Sequence, residues 1–76
     1  MFEDRYKLHQ IFISAINEND THGWKVTLYI GQPDLTRYKY CALNKTFATE
    51  AEAVSRAREL AHQWIDAGKP EPFPEA

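Results

Sequence analysis

Hydrophobic and polar residues alternate along three stretches in the first half of the chain, a pattern typical of β-strands with one buried face. The stretches are residues 8–16, 24–30 and 38–46, and the alternation is clearest in the second. The positions expected to face the core are Ile11, Ile13, Ala15, Trp24, Val26, Leu28, Ile30, Cys41 and Leu43. Two turn-rich segments, residues 17–23 and 31–34, separate the stretches. Short connections between neighbouring strands predict an antiparallel three-stranded meander.

After these stretches, hydrophobic residues recur every three or four positions instead of every two. This spacing predicts an amphipathic helix over residues 50–67. Its apolar stripe is Ala53, Val54, Ala57, Leu60, Ala61 and Trp64. Thr49 and Glu52 have the spacing of a capping box, which predicts the start of the helix. Gly68 and Pro70 follow at its expected end, where glycine closes a helix and proline cannot continue one.

These elements predict an α+β domain of two layers, with the order β-β-β-α and the sheet packed on the C-terminal helix. The domain is expected to span residues 1–68. The proline-rich tail, residues 69–76, is expected to be extended, with two alternatives left open. It can dock into an aromatic groove on a partner, or Phe73 can fold back onto the domain.

A single helix covers only one face of a sheet, so the opposite face is expected to be open. With alternate strand residues assigned to the two faces in this way, the open face carries Gln10, Phe12, Ser14, Ile16, Lys25, Thr27, Tyr29, Tyr38, Tyr40, Ala42 and Asn44. Four of these residues are aromatic. Apolar patches of that kind usually mark contact surfaces, so this face is the candidate functional surface.

Three interpretations of the open face remain. It can join two copies of the chain or bind another protein. It can stack the bases of single-stranded nucleic acid on tyrosines while basic side chains meet phosphates. It can also be an ordinary solvated sheet face, because tyrosine suits half-exposed strand positions. The candidate binding residues are Phe12, Lys25, Tyr29, Arg37, Tyr38, Lys39 and Tyr40.

Composition agrees with one small globular domain. The chain has 76 residues, of which 43% are hydrophobic and 26% charged, and so short a chain holds a single core. Its net charge is −2, far from the strongly basic balance usual in duplex-DNA binders. It has no apolar run that could span a bilayer and no signal-peptide pattern at its start. We therefore expect a soluble, cytoplasmic protein that does not bind a membrane.

No pattern of catalytic residues is visible in the sequence. His9, His22 and His62 fall on a strand, a turn and a helix, without the spacing of metal ligands. Cys41 is the single cysteine and is expected to be a small buried side chain. We predict no enzyme activity, no metal, no cofactor and no small-molecule substrate.

Two resemblances add to this interpretation. Residues 46–53, followed by the stripe of Ala57, Leu60 and Trp64, resemble small uncharacterised bacterial β-β-β-α proteins. That likeness implies the fold and no activity. The strand start at residues 23–26 and the helix entry are similar in layout to plant AP2-type DNA-binding domains and to arm-binding domains of phage integrases. Those families carry dense arginine or lysine on outward strand positions, whereas this chain has Lys25 alone on its second strand.

Overall fold

The structure, a computed structural model, describes residues 1–17, 23–31, 38–71 and 73. Within these residues the elements are β1 (Phe2–Tyr6), β2 (His9–Ile16), β3 (Lys25–Gly31), β4 (Tyr38–Ala42) and α1 (Glu50–Asp66). The strands form one antiparallel sheet in the order β1-β2-β3-β4. The predicted antiparallel sheet packed on a C-terminal helix is confirmed. The predicted count of three strands is wrong, because the described residues contain four.

Strand β1 escapes the sequence pattern because its charged residues fall on both faces of the sheet. Asp4 pairs with Ile11 and faces the helix, whereas Glu3 pairs with Phe12 and faces the open side. A strand with a carboxylate at a helix-facing position shows no hydrophobic alternation. The turn after it is also unusual, because it lacks the glycine or asparagine that normally signals a tight hairpin.

The hairpin between β1 and β2 turns through two residues, Lys7 and Leu8, that both have positive φ angles, 46° and 70°. A type I′ turn needs this conformation, which L-residues with a side chain adopt at a cost. Two contacts of Lys7 accompany this conformation. The ammonium of Lys7 donates to the Asp66 carboxylate at 2.6 Å, and the Lys7 carbonyl lies 2.9 Å from Nδ1 of His9.

The core lies between the sheet and α1, which packs on β1, β2 and β3. From the sheet, Ile11, Ile13 and Leu28 are fully buried, and from the helix Leu60 and Trp64 are almost so. The remaining core residues are Val26, Ile30, Leu43, Phe47, Ala53, Val54, Ala57, Ala61, Ile65 and Phe73. This alternation places the side chains of odd-numbered β2 residues and even-numbered β3 residues against the helix.

The connection from β4 to α1 is fixed at two points. Trp24 and Phe47 exchange backbone hydrogen bonds of 2.7 and 3.0 Å, which returns the chain to the start of β3. The hydroxyl of Thr49 then accepts from the backbone N–H of Glu52 at 3.1 Å, as the capping-box spacing predicts. At the other end Gly68 has a φ of 89°, the left-handed conformation that ends many helices.

The core continues past residue 68, where the sequence places the end of the domain, because Phe73 is buried. The Phe73 ring lies 5.6 Å from the Trp64 ring, and the indole N–H of Trp64 donates to the Pro70 carbonyl at 2.7 Å. Lys39 of β4 binds Glu71 at 2.5 Å, so this segment lies beside β4 on the helix side. Pro72 and residues 74–76 lie outside the described residues.

The helix α1 is too short and too polar to cross a membrane, and the described part of the chain offers no other candidate span.

Replacing Leu8 by glycine should stabilise the fold, because glycine adopts a positive φ without the cost of a side chain. We expect the free energy of unfolding to rise by about 1 kcal/mol, measured by urea denaturation. Leu8→Ala is the matched control: it also removes the exposed side chain but keeps the backbone cost, so its effect should be near zero. Equal effects of the two substitutions would contradict this account of the turn.

Phe73→Ala should destabilise the fold by about 3–5 kcal/mol, because it leaves a cavity against Trp64. Glu71→Gln tests the neighbouring ion pair alone, which is exposed and should contribute less than about 1 kcal/mol. Both values can be measured by urea denaturation. A Phe73→Ala variant as stable as the parent would show that residues 70–73 do not complete the core.

Candidate functional site

The face of the sheet opposite α1, called the open face here, is the candidate functional surface. Its residues are Glu3, Arg5, Gln10, Phe12, Ser14, Ile16, Lys25, Thr27, Tyr29, Gly31, Tyr38, Tyr40 and Ala42. Strand pairing arranges them in rows that run across the strands. The longest two rows are Glu3–Phe12–Tyr29–Tyr40 and Arg5–Gln10–Gly31–Tyr38. Each of these rows therefore begins with a charged residue on β1 and ends with a tyrosine on β4.

Four aromatic residues, called the aromatic cluster here, form the centre and the β4 side of the open face: Phe12, Tyr29, Tyr38 and Tyr40. The rings of Tyr29 and Tyr40 lie 4.9 Å apart at 53°, and those of Phe12 and Tyr38 lie 6.0 Å apart at 59°. Such tilted pairs are favourable aromatic geometries. The three tyrosines nevertheless remain 40–54% exposed, so the cluster presents ring surface to solvent.

Gly31 makes room for part of this cluster. A Cβ atom at residue 31 would lie 2.8 Å from Cε1 of Tyr38, closer than carbon atoms in contact normally approach. The Tyr38 ring therefore lies directly on the β3 backbone, and the open face is flatter at this point than it would be with a side chain there.

The basic residues proposed from the sequence do not gather around the rings. Lys25 is on the open face, but it pairs with Ile16, two rows away from Phe12 and Tyr29. Lys39 pairs with Ile30, so it lies on the helix side, where Glu71 binds it. Arg37 lies outside the described residues.

Sequence analysis missed two charged residues of the open face, Glu3 and Arg5, because it missed β1. Both are exposed and alternate with Asp4 and Tyr6, which face the helix. The available signal was the two-residue spacing of Phe2, Asp4 and Tyr6, which the charge at position 4 obscured.

Polar and ionisable side chains also gather on the helix side of β1, where they form what is called the β1–α1 contact here. Nε2 of His62 donates to the Asp4 carboxylate at 2.8 Å, and Arg58 lies 3.6 Å from the same oxygen. The Tyr6 ring stacks on the His62 ring at 3.9 Å and 9°. The Tyr6 hydroxyl donates to Asp66 at 2.8 Å. These residues attach the edge strand to the helix.

Each shifted pKa in this contact follows from its partners. Burial by itself would raise the pKa of the Asp4 carboxyl, but the hydrogen bond from His62, a backbone hydrogen bond from Arg5 and the nearby positive charges outweigh it and lower the pKa. The hydrogen bond from Lys7, followed by that from Tyr6, lowers the pKa of Asp66. The same carboxylate raises the pKa of Tyr6 and that of Lys7.

His9 completes this end of the molecule and is 5% exposed. Its Nδ1 lies against the Lys7 carbonyl, which can only accept, so Nδ1 donates this hydrogen bond. That Nε2 atom is buried without a hydrogen-bond partner. A buried polar atom without a partner lowers stability, and His9 lies on the helix side of β2, away from the open face.

A scan of protein-family models, a search of curated proteins and a search of solved structures each found no match for this chain. Within the residues that the structure describes, no group of three or more histidine, cysteine, aspartate or glutamate side chains is placed to hold a metal ion.

Asp4→Asn should lower stability near neutral pH and lower it less in acid. Because the pKa of Asp4 is lowered in the folded protein, its contribution is present above the pKa of the unfolded chain, about 3.9. The contribution disappears as the pH falls through the folded pKa. The difference in unfolding free energy between parent and variant should therefore shrink below about pH 4, as measured by urea denaturation across pH. Glu3→Gln, on the opposite face of β1, is the control and should change stability little. A difference for Asp4→Asn that persists in acid would contradict this role.

Proposed function

We propose that this chain is a small, non-catalytic bacterial protein of the cytoplasm that works by binding through its open face. Its partner is a second copy of the chain or another protein. The observation that carries this proposal is the aromatic cluster, whose tyrosines stay 40–54% exposed on the side of the sheet away from α1.

Burial energetics support a binding role for these rings. A large aromatic side chain gains about 1.5–3 kcal/mol when it is moved fully out of water, and the tyrosines realise only part of that within the monomer. Tyrosine also suits protein interfaces because its ring is rigid and its hydroxyl can form a hydrogen bond at the rim. Ile16 is a further exposed apolar residue of this face, 49% exposed, but it lies two rows from the rings, beside Lys25.

The alternative function is a nucleic-acid-binding module that uses Tyr29, Tyr38 and Tyr40 with basic residues. Binding of this kind depends on cations close to the stacked bases. Lys39 is engaged by Glu71 on the helix side, and Lys25 lies two rows from the rings. The placement of these two lysines favours a protein partner over a polyanion.

The double variant Tyr29→Ser/Tyr40→Ser tests the proposal. Light scattering after size exclusion should show the parent rising from 8.8 kDa towards twice that mass with concentration, and the variant should stay monomeric. Because both residues are exposed, the variant should lose only about 1 kcal/mol of stability and remain folded by circular dichroism. Leu8→Ser, which removes an exposed apolar side chain from the β1–β2 turn, is the control and should associate like the parent.

Titration of a fluorescent single-stranded oligonucleotide at low and high salt tests the alternative. We expect no salt-sensitive binding at micromolar protein. The contrary result is that the parent binds the oligonucleotide in a salt-sensitive way, with the binding lost in the Tyr29→Ser/Tyr40→Ser variant. That result would show that this face binds nucleic acid and not a protein. Association that is the same in parent and variant would show that the open face is not the contact surface.

A further inference from the structure

In the two longest rows of the open face, the charged residue and the outermost tyrosine lie at opposite edges of the sheet. Glu3 and Arg5 lie on the edge strand β1, whereas Tyr40 and Tyr38 lie at the other ends of the same two rows, on the edge strand β4. An asymmetry of this kind is what a self-complementary surface requires, because each half must fit the other half of an identical surface.

We infer that two copies of the chain pack open face to open face around a two-fold axis that runs parallel to the strands. This rests on the proposed function, since it uses the same face. Such an axis places β1 of one copy opposite β4 of the other and β2 opposite β3. Arg5 then faces the partner's Tyr38, and Glu3 faces the partner's Tyr40. Phe12 faces the partner's Tyr29 at the centre.

Each of these pairs is chemically favourable. A guanidinium over a tyrosine ring is a cation–π contact. A tyrosine hydroxyl can donate to a carboxylate, and that hydrogen bond is strengthened by the charge. Phe12 against Tyr29 places two apolar rings at the centre, where water is best excluded.

The area of the open face favours this axis over a two-fold axis that runs perpendicular to the strands in the plane of the interface. Four strands at about 4.8 Å spacing, with lengths near 20 Å, give roughly 400 Å² in projection. Specific interfaces use at least about 600 Å² of accessible surface per partner, so even the whole face, with interdigitated side chains, lies near that lower limit. An axis perpendicular to the strands would pair Glu3 with the partner's Arg5 but would cover only the two longest rows. The strand-parallel axis covers all the rows, and we expect a dimer with a dissociation constant in the micromolar range.

Charged substitutions on β4 test the arrangement, because acidic and basic side chains should have opposite effects at positions 38 and 40. Tyr38 is expected to face an arginine and Tyr40 a glutamate, so Tyr38→Glu and Tyr40→Arg should be tolerated. Tyr38→Arg and Tyr40→Glu should place like charges together. At each position the first variant should dimerise at least about tenfold more tightly than the second, as measured by sedimentation equilibrium.

The design contains its own control for net charge. The favoured substitution is acidic at position 38 and basic at position 40, so a general change in the repulsion between chains cannot produce this pattern. Within one chain, residues 38 and 40 lie three strands from Arg5 and Glu3, so direct effects inside the monomer are small. Arg5→Glu combined with Tyr38→Arg should restore the dimer that Tyr38→Arg alone weakens. Circular dichroism verifies that every variant is folded.

The outcomes separate the arrangement from the proposed function. In one outcome the parent dimerises and the Tyr29→Ser/Tyr40→Ser variant does not, which makes the open face the interface. If acidic and basic substitutions at positions 38 and 40 then weaken the dimer equally, the two-fold arrangement is overturned. If the parent dimerises and open-face substitutions have no effect, the proposed function and the arrangement both fail. A parent that remains monomeric up to about millimolar concentration overturns the arrangement.

Discussion

The width of the sheet relative to the single helix in the described residues determines how this molecule is built. A helix is about 10 Å across with its side chains, and strands are spaced about 4.8 Å apart, so α1 can cover little more than two of the four strands. The edge strands need other contacts. On β1 these are polar, with Asp4 and Tyr6 meeting His62 and Asp66 of the helix. Beside β4 the contact comes from the C-terminal segment, where Phe73 packs against the helix.

The two faces of the sheet differ in how fully the described residues cover them. The helix side receives aliphatic residues, the β1–α1 contact and the segment around Phe73. The open side carries the aromatic cluster, in which rings contact one another in tilted pairs and still expose much of their surface. Because protein interiors gain stability by removing such surface from water, the difference between the faces supports the proposal that the open face binds a partner. The resemblances to bacterial β-β-β-α proteins and to sheet-based DNA readers stay predictions, since no comparison found a relative.

Sequence patterns predict the centre of the fold well and its edges poorly. The alternation in β2 and β3 and the capped helix indicate which side chains meet in the core, because hydrophobic burial there follows a simple period. Strand β1 is hidden because Asp4 is partnered by a histidine 58 positions away, which no local pattern reveals. For Phe73 the sequence leaves two outcomes open, because the prolines around it favour an extended tail whereas its ring can fold back onto the domain, and the structure has the ring folded back. The side taken by Lys39 follows from its position between Tyr38 and Tyr40, so the sequence already held that information.

The contact between Asp66 and the first hairpin joins β1 and its turn to the last turn of the helix. Tyr6 reaches across 60 positions of sequence to the last residue of the helix. During synthesis the first hairpin leaves the ribosome early, but its anchor emerges only when the domain is nearly complete. Contacts of such long range close late, because much of the chain must be ordered before they form. The helix-facing side chains of β1 therefore stay without these partners until the last turn of the helix is in place, and a substitution at Tyr6 or at Asp66 acts on the same late step of folding.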